Sequence, residues 1–121
     1  MKTGKNPKKT KYNKILADSL FRDIIRGRDK SICQNCKSSY NPQVAHIISR
    51  RYHTTRWDIN NALILCSKCH ARWTYHPLEW EQWIIKRIGQ SEYEALKREA
   101  LSYEKINYKE LITQLQTILG A

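Results

Sequence analysis

Cys33-Gln34-Asn35-Cys36 and Cys66-Ser67-Lys68-Cys69-His70, with Val44-Ala45-His46-Ile47 between them, decide how this chain folds. Two Cys-x-x-Cys hooks supply four thiolates, the number that a closed tetrahedral Zn²⁺ takes. The two residues inside each hook let the backbone turn so that both sulfurs face one ion. The 29 residues between the hooks (37 to 65) exceed a usual zinc ribbon. They are enough for a knuckle, a strand, a long loop and a second strand. Cys33, Cys36, Cys66 and Cys69 are therefore read as ligands of a structural Zn²⁺ with no position left open for chemistry. In small zinc domains metal binding is largely folding free energy, on the order of 10 kcal/mol or more. Paired disulfides are the alternative for the same four residues.

Outward from the hooks, Val44–Ile48 and Ala62–Leu65 read as two apolar strands, separated by a polar loop over 49–61. Cys66 and Ser67 then open a helix that runs to about Tyr75. A strand carrying His46, a loop ending in Asn60-Asn61, a second strand and a helix opening near His70 make a ββα unit. Upstream, Ile15, Leu16, Leu20, Ile24 and Ile25 follow helical spacing. That spacing predicts a helix over 14–26 closed by Gly27, with Arg22, Asp23 and Arg26 on its other face. Downstream, Pro77 and Gly89 bound a helix. Ser91-x-x-Glu94 reads as a capping box for a helix over 92–102. Asn107 and Glu110 start a last helix that Gly120 stops. Its apolar stripe, Leu111 to Leu119, is read as core, with a partner surface as the alternative because a last helix in a small domain has little else to pack on.

The expected class is α+β, mostly helical: a zinc-stapled ββα core over about 31–76, a first helix before it and helices over 77–120 after it. One domain, 14–121, follows from the length of 121 residues. Residues 1–13 hold five lysines and no acid and read as a disordered basic arm. No hydrophobic stretch follows that arm as in a signal peptide, and no run is long enough to span a membrane. A reducing cytoplasm is the expected setting, where paired cysteines more often bind metal than each other. The net charge of +11 is uneven: residues 1–76 hold 16 Lys/Arg against 4 Asp/Glu, and 77–121 hold 6 against 7. Positive charge gathered on one half is the footprint of a phosphate-backbone partner.

These residues together resemble the HNH (His-Asn-His, ββα-metal) endonucleases. They are most similar to small phage HNH proteins of the NinG/Rap recombination type. The resemblance is carried by Cys33-x-x-Cys36, Ala45-His46-Ile47-Ile48-Ser49-Arg50, Thr55-Arg56-Trp57-Asp58, Asn61, Cys66-x-x-Cys69-His70 and the stretch Trp83 to Leu96. It implies a DNA endonuclease that hydrolyses phosphodiester bonds through one divalent ion, Mg²⁺ or Mn²⁺, in a bacterial host cell. His46 matches the general base and His70 a ligand of that ion. Asn61 matches the middle asparagine, either a metal ligand or a pin for the loop, with Asn60 as the neighbour in register. Arg50, Arg51, Arg56, Lys68 and Arg72 are expected to contact DNA phosphates. For Arg56 a brace with Asp58 is the alternative.

One position departs from the family. Many relatives place Asp or His immediately before the base, and here Ala45 offers no ligating atom. His53 and His76 are the candidates to replace it. A weakened metal site leaves room for a second function, a non-catalytic zinc-containing module that binds nucleic acid. A third is a protein-interaction module docking through the C-terminal helices. DNA substrate and oligomeric state are open.

Overall fold

A computed structural model describes residues 12–120. The expected basic arm lies outside the described residues except for Tyr12 and Asn13. Asn13 is the cap of the first helix: its side-chain oxygen accepts the Leu16 N–H at 3.0 Å. The described residues are mostly helical, with six α-helices and one two-stranded antiparallel sheet. In chain order they are α1 (Lys14–Asp29), β1 (Pro42–His46), α2 (His53–Arg56), a 3₁₀ turn (Ile59–Asn61), β2 (Ala62–Cys66), α3 (Ser67–Tyr75), α4 (Pro77–Ile88), α5 (Gln90–Ala100) and α6 (Tyr108–Gly120). None of these helices is long and apolar enough to cross a membrane.

The hairpin pairs Pro42 with Cys66 and His46 with Ala62. Because strand side chains alternate, β2 buries both of its faces. Leu63 and Leu65 join Cys33, Ala45, Ile47, Trp73, Ile84 and Leu96 in one cluster beneath the cysteine hooks. Ala62 and Ile64 join Ala17, Phe21, Ile25, Trp57, Ile112 and Leu115 in a second cluster between α1 and α6. A strand covered on both faces reads as a continuous apolar run rather than an alternating one, which is the form of Ala62-Leu63-Ile64-Leu65.

Several boundaries differ from expectation. α1 runs three residues past 26, because Lys30 (φ 56°) and Ser31 (φ 54°) take the left-handed turn. The Ser31 N–H reaches back to the Arg26 carbonyl at 2.9 Å. Gly27 lies inside the helix. β1 spans Pro42–His46 rather than 44–48, for a reason given below with Asn61. The 49–61 loop folds into α2 and the 3₁₀ turn. α5 begins at Gln90, immediately after Gly89 (φ 92°), so the Ser91-x-x-Glu94 capping box is not used. The stripe of the last helix is core as expected, with Ile112 and Leu115 buried against α1, and the alternative of a free partner surface does not hold for these two residues.

The outer edge of β2 is occupied by backbone and side chains from around α1. Arg28 donates to the carbonyls of Ile59 (2.6 Å) and Ala62 (2.7 Å). The Ile64 N–H donates to Asp29 at 2.9 Å, and the Ile64 carbonyl accepts the Gln34 N–H at 2.8 Å. Arg28 and Asp29 also pair with each other at 2.9 Å.

Candidate active site

The four cysteine sulfurs converge on one point. All lie within 4.8 Å of one another, and Cys36 and Cys66 are 3.6 Å apart. Four sulfurs each about 2.3 Å from a tetrahedral Zn²⁺ are separated by about 3.8 Å, so the cluster fits zinc. No pair is joined as a disulfide. The knuckle turns aim N–H groups at the sulfurs: Cys36 to Cys33 (3.4 Å), Cys69 to Cys66 (3.5 Å), and the Asn35 amide to Cys69 (3.3 Å). Burial opposes ionisation of Cys33, but the backbone donors around its sulfur outweigh it and lower the thiol's pKa. Cys69 moves the other way, raised by burial and by the thiols beside it. A divalent cation resolves this conflict, because it takes all four as thiolates.

His46 ends β1 with its ring between two elements. Its Nε2 lies 2.9 Å from the Arg56 carbonyl oxygen. A carbonyl can only accept, so Nε2 carries the proton and Nδ1 keeps its lone pair. Phe21 of α1 stacks on the ring at 5.5 Å and 19°. Burial lowers the His46 pKa, and the charges of Arg50 and Arg56 add to that, against the pull of the carbonyl bond. The ring is therefore neutral at neutral pH.

The carbonyl that orients His46 is itself held. The Arg56 guanidinium is buried and bonds Asp18 of α1 through Nε (3.1 Å) and Nη2 (2.6 Å). Trp57 Nε1 donates to the same carboxylate at 2.8 Å. Burial opposes the charge on Asp18, but the bonds from Arg56 and Trp57 outweigh it and lower its pKa. Arg56 is thus neither an exposed phosphate contact nor a partner of Asp58. Both expectations are corrected, because the carboxylate that meets its guanidinium is the half-buried Asp18 of α1.

Asn61 is fully buried, and its side chain makes three hydrogen bonds. Its oxygen accepts the Ile48 N–H at 2.8 Å, and its amide donates to the carbonyls of Ile48 and Thr55, both at 3.0 Å. These bonds tie the loop to Ile48, which is the bracing geometry among its two expected roles. They also explain the early end of β1. The Asn61 side chain takes the backbone groups of Ile48 that a strand partner would otherwise hold. Asn60 is exposed, and its N–H bonds Asp58.

His70 lies in the first turn of α3. Its Nδ1 is 2.7 Å from Oε1 of Gln43 on β1. With that oxygen accepting, Nδ1 carries the proton and Nε2 is bare. Burial lowers its pKa as well. His46 and His70 share the wall of an open cleft of about 440 Å³, together with Phe21, Arg22, Arg26 and Arg50. They also share the wall of a smaller pocket of about 250 Å³ that Trp73 and Trp80 line.

Neither candidate for the ligand missing at Ala45 reaches this cleft. His76 pairs with Glu79 at 3.0 Å, and His53 packs on Trp57 with ring centroids 5.8 Å apart. Arg51 and Lys68 are exposed, and Arg72 lies over the Trp73 ring. The residues that sequence reasoning missed are Asp18, Phe21 and Gln43. Only the alternation along β1 hints at one of them, since it puts Gln43 on the strand face of Ala45.

Residues 32–78 match the family model of HNH endonucleases. The match includes all four cysteines, His46, Asn61 and His70, supports the HNH superfamily, and suggests nuclease activity on a nucleic acid. α1, α5 and α6 lie outside it. No curated protein and no solved structure matches the chain.

Proposed function

We propose that this chain, with its HNH endonuclease match over 32–78, is a metal-dependent DNA endonuclease of the one-metal kind. The observation that carries this reading is a pair of neutral histidines on one basic cleft, each with one ring nitrogen bonded and the other bare. His46 is the general base. Its Nε2–H stays on the Arg56 carbonyl while Nδ1 takes a proton from the water that attacks phosphorus. Positioned bases of this kind contribute roughly 10²–10⁴-fold. Asn61 holds the loop that carries Arg56, and so holds the aim of His46.

His70 Nε2 fits a divalent ion. Its other nitrogen is tied to Gln43, as ligating histidines are usually tied through their second ring nitrogen. Such an ion, Mg²⁺ or Mn²⁺, supplies charge neutralisation at the scissile phosphate and the leaving 3′ oxygen. Imidazole suits Mn²⁺ better than Mg²⁺, which prefers oxygen ligands. With Ala45 adding no carboxylate, Mn²⁺ is the better cofactor. The cysteine cluster is structural zinc and takes no part in the reaction. Backbone-directed binding implies low sequence specificity, consistent with DNA processing or recombination of the phage type in a bacterial cytoplasm.

The test is nicking of supercoiled plasmid with Mn²⁺, Mg²⁺ or no added divalent ion, for the native chain and His46→Ala. Nicking that is faster in Mn²⁺ and falls at least a hundredfold in the variant is expected. A second reading, a non-catalytic nucleic-acid-binding zinc module, is favoured by one observation. Among the described residues, only the four cysteines form a cluster of three or more metal-ligating side chains. DNA retention without cutting in any metal would establish that reading instead.

A further inference from the structure

α1 lies outside the matched segment, yet it builds one wall of the cleft. Asp18, Phe21, Arg22 and Arg26 all line it, at steps of three residues from Asp18 to Phe21 and of four from Asp18 to Arg22 and from Arg22 to Arg26, as one helix face requires. The first two act on the histidine already described, through Arg56 and by stacking. The other two have no such task. Arg22 and Arg26 are exposed, and among the described residues neither guanidinium has a hydrogen bond, ion pair or ring contact. Asp18, the one acid on the cleft wall, is committed to Arg56 and Trp57. Arg50 joins them from beyond β1, with no hydrogen bond or ion pair among the described residues, although its charge reaches Asp18 through space. Arg22, Arg26 and Arg50 around two neutral histidines outnumber the one carboxylate on the wall, which Arg56 and Trp57 already hold, and leave the cleft positive.

We propose that Arg22 and Arg26 of α1 bind the DNA phosphates that flank the scissile bond, so that the active site is completed by a helix outside the HNH segment. Guanidinium matches phosphate oxygens in charge and in its planar pair of donors. A solvated helix face would need neither convergence on the cleft nor freedom from carboxylates. The proposal rests on reading the cleft as the DNA site, and it is tested by binding rather than by cutting.

The experiment compares the salt dependence of binding to a short fluorescent DNA duplex without added divalent ion. The proteins are the native chain, Arg22→Gln/Arg26→Gln, Arg22→Lys/Arg26→Lys, and a control of equal charge loss, Arg98→Gln/Lys109→Gln, away from the cleft. Each phosphate contact contributes ~0.9 to the slope of log K against log salt, so the first pair is expected to lower that slope by about 2. The lysine pair and the control keep the native slope. Zinc content and circular dichroism verify that each variant is folded. If a glutamine variant does not fold, the lysine pair, which keeps charge but loses the paired donors, is expected to hold the slope and weaken binding. Equal losses in the cleft pair and the control overturn the proposal, because net charge alone would then explain binding. An unchanged slope in the cleft pair overturns it too. A native chain that binds with the expected slopes but never nicks would sink the nuclease reading, while Arg22 and Arg26 would still be phosphate contacts of a binding cleft.

Discussion

The two faces of β2 are secured by different means. On one, Leu63 and Leu65 meet a cluster that includes Cys33, Cys66 and Cys69, so packing there is joined to a metal site. On the other, Ala62 and Ile64 meet α1 and α6, and apolar side chains with the Asp18–Arg56 pair do the holding. The first face is built largely from the matched segment and the second largely from helices outside it. The difference teaches that a stapled hairpin fixes where the histidines are, while the unstapled helices fix how His46 is turned and how dry it is.

The sharpest way to break this contrast is Cys36→Ser. It removes one zinc ligand, and the loss is expected to be on the order of the metal's contribution to folding, ~10 kcal/mol. Circular dichroism and zinc stoichiometry should show an unfolded, zinc-free chain. A folded variant of near-native stability would mean that the two faces are held alike. Ile112→Ala tests the other face. Ile112 is fully buried between α1 and α6, and its truncation is expected to cost about 2–5 kcal/mol in denaturant unfolding. One zinc per chain should be retained, and loss of zinc here would show the two faces to be one cooperative unit.

The smallest effect is on pH. His46 has a lowered pKa, with burial as the leading cause. Nicking should therefore stay flat through neutral pH and fall only below the ordinary histidine value of 6.5. The sign for stability agrees: just below 6.5 the unfolded chain takes up the proton more readily than the folded one, so stability falls as pH falls. Phe21→Ala opens the ring to water and should move the acid limb of the pH–rate profile back toward 6.5. An unmoved limb would show that α1 does not keep the base dry.

The zinc hooks, the hairpin, α3, α4 and α6 were legible because each depends on neighbours in sequence. Cys-x-x-Cys spacing, a run of apolar residues, Pro77 before a helix and Asn107 at a cap are local signals. What escaped depends on groups far apart in the chain. Gln43 and His70 are 27 positions apart, Asp18 and Arg56 are 38 apart, and no periodicity announces either pair. Arg56 looked like a surface cation because nothing nearby in sequence shows that α1 will cover it. The β1 boundary slipped for the same reason, since a side chain thirteen residues away claims the Ile48 backbone. Of the candidate site, the two histidines were readable from the motif, and the helix opposite them was readable only as a helix.

The contacts of Arg28, Asp29 and Gln34 along β2 bear on behaviour in a crowded solution. A two-stranded ribbon offers unpaired backbone on its flanks, and an open flank is a template on which another molecule's strand can dock and begin an aggregate. On the β2 side that invitation is withdrawn: the N–H and carbonyl of Ile64 and the carbonyls of Ile59 and Ala62 are already occupied. The last turn of α1 and the loop after it thus act as a guard for the sheet on its β2 side.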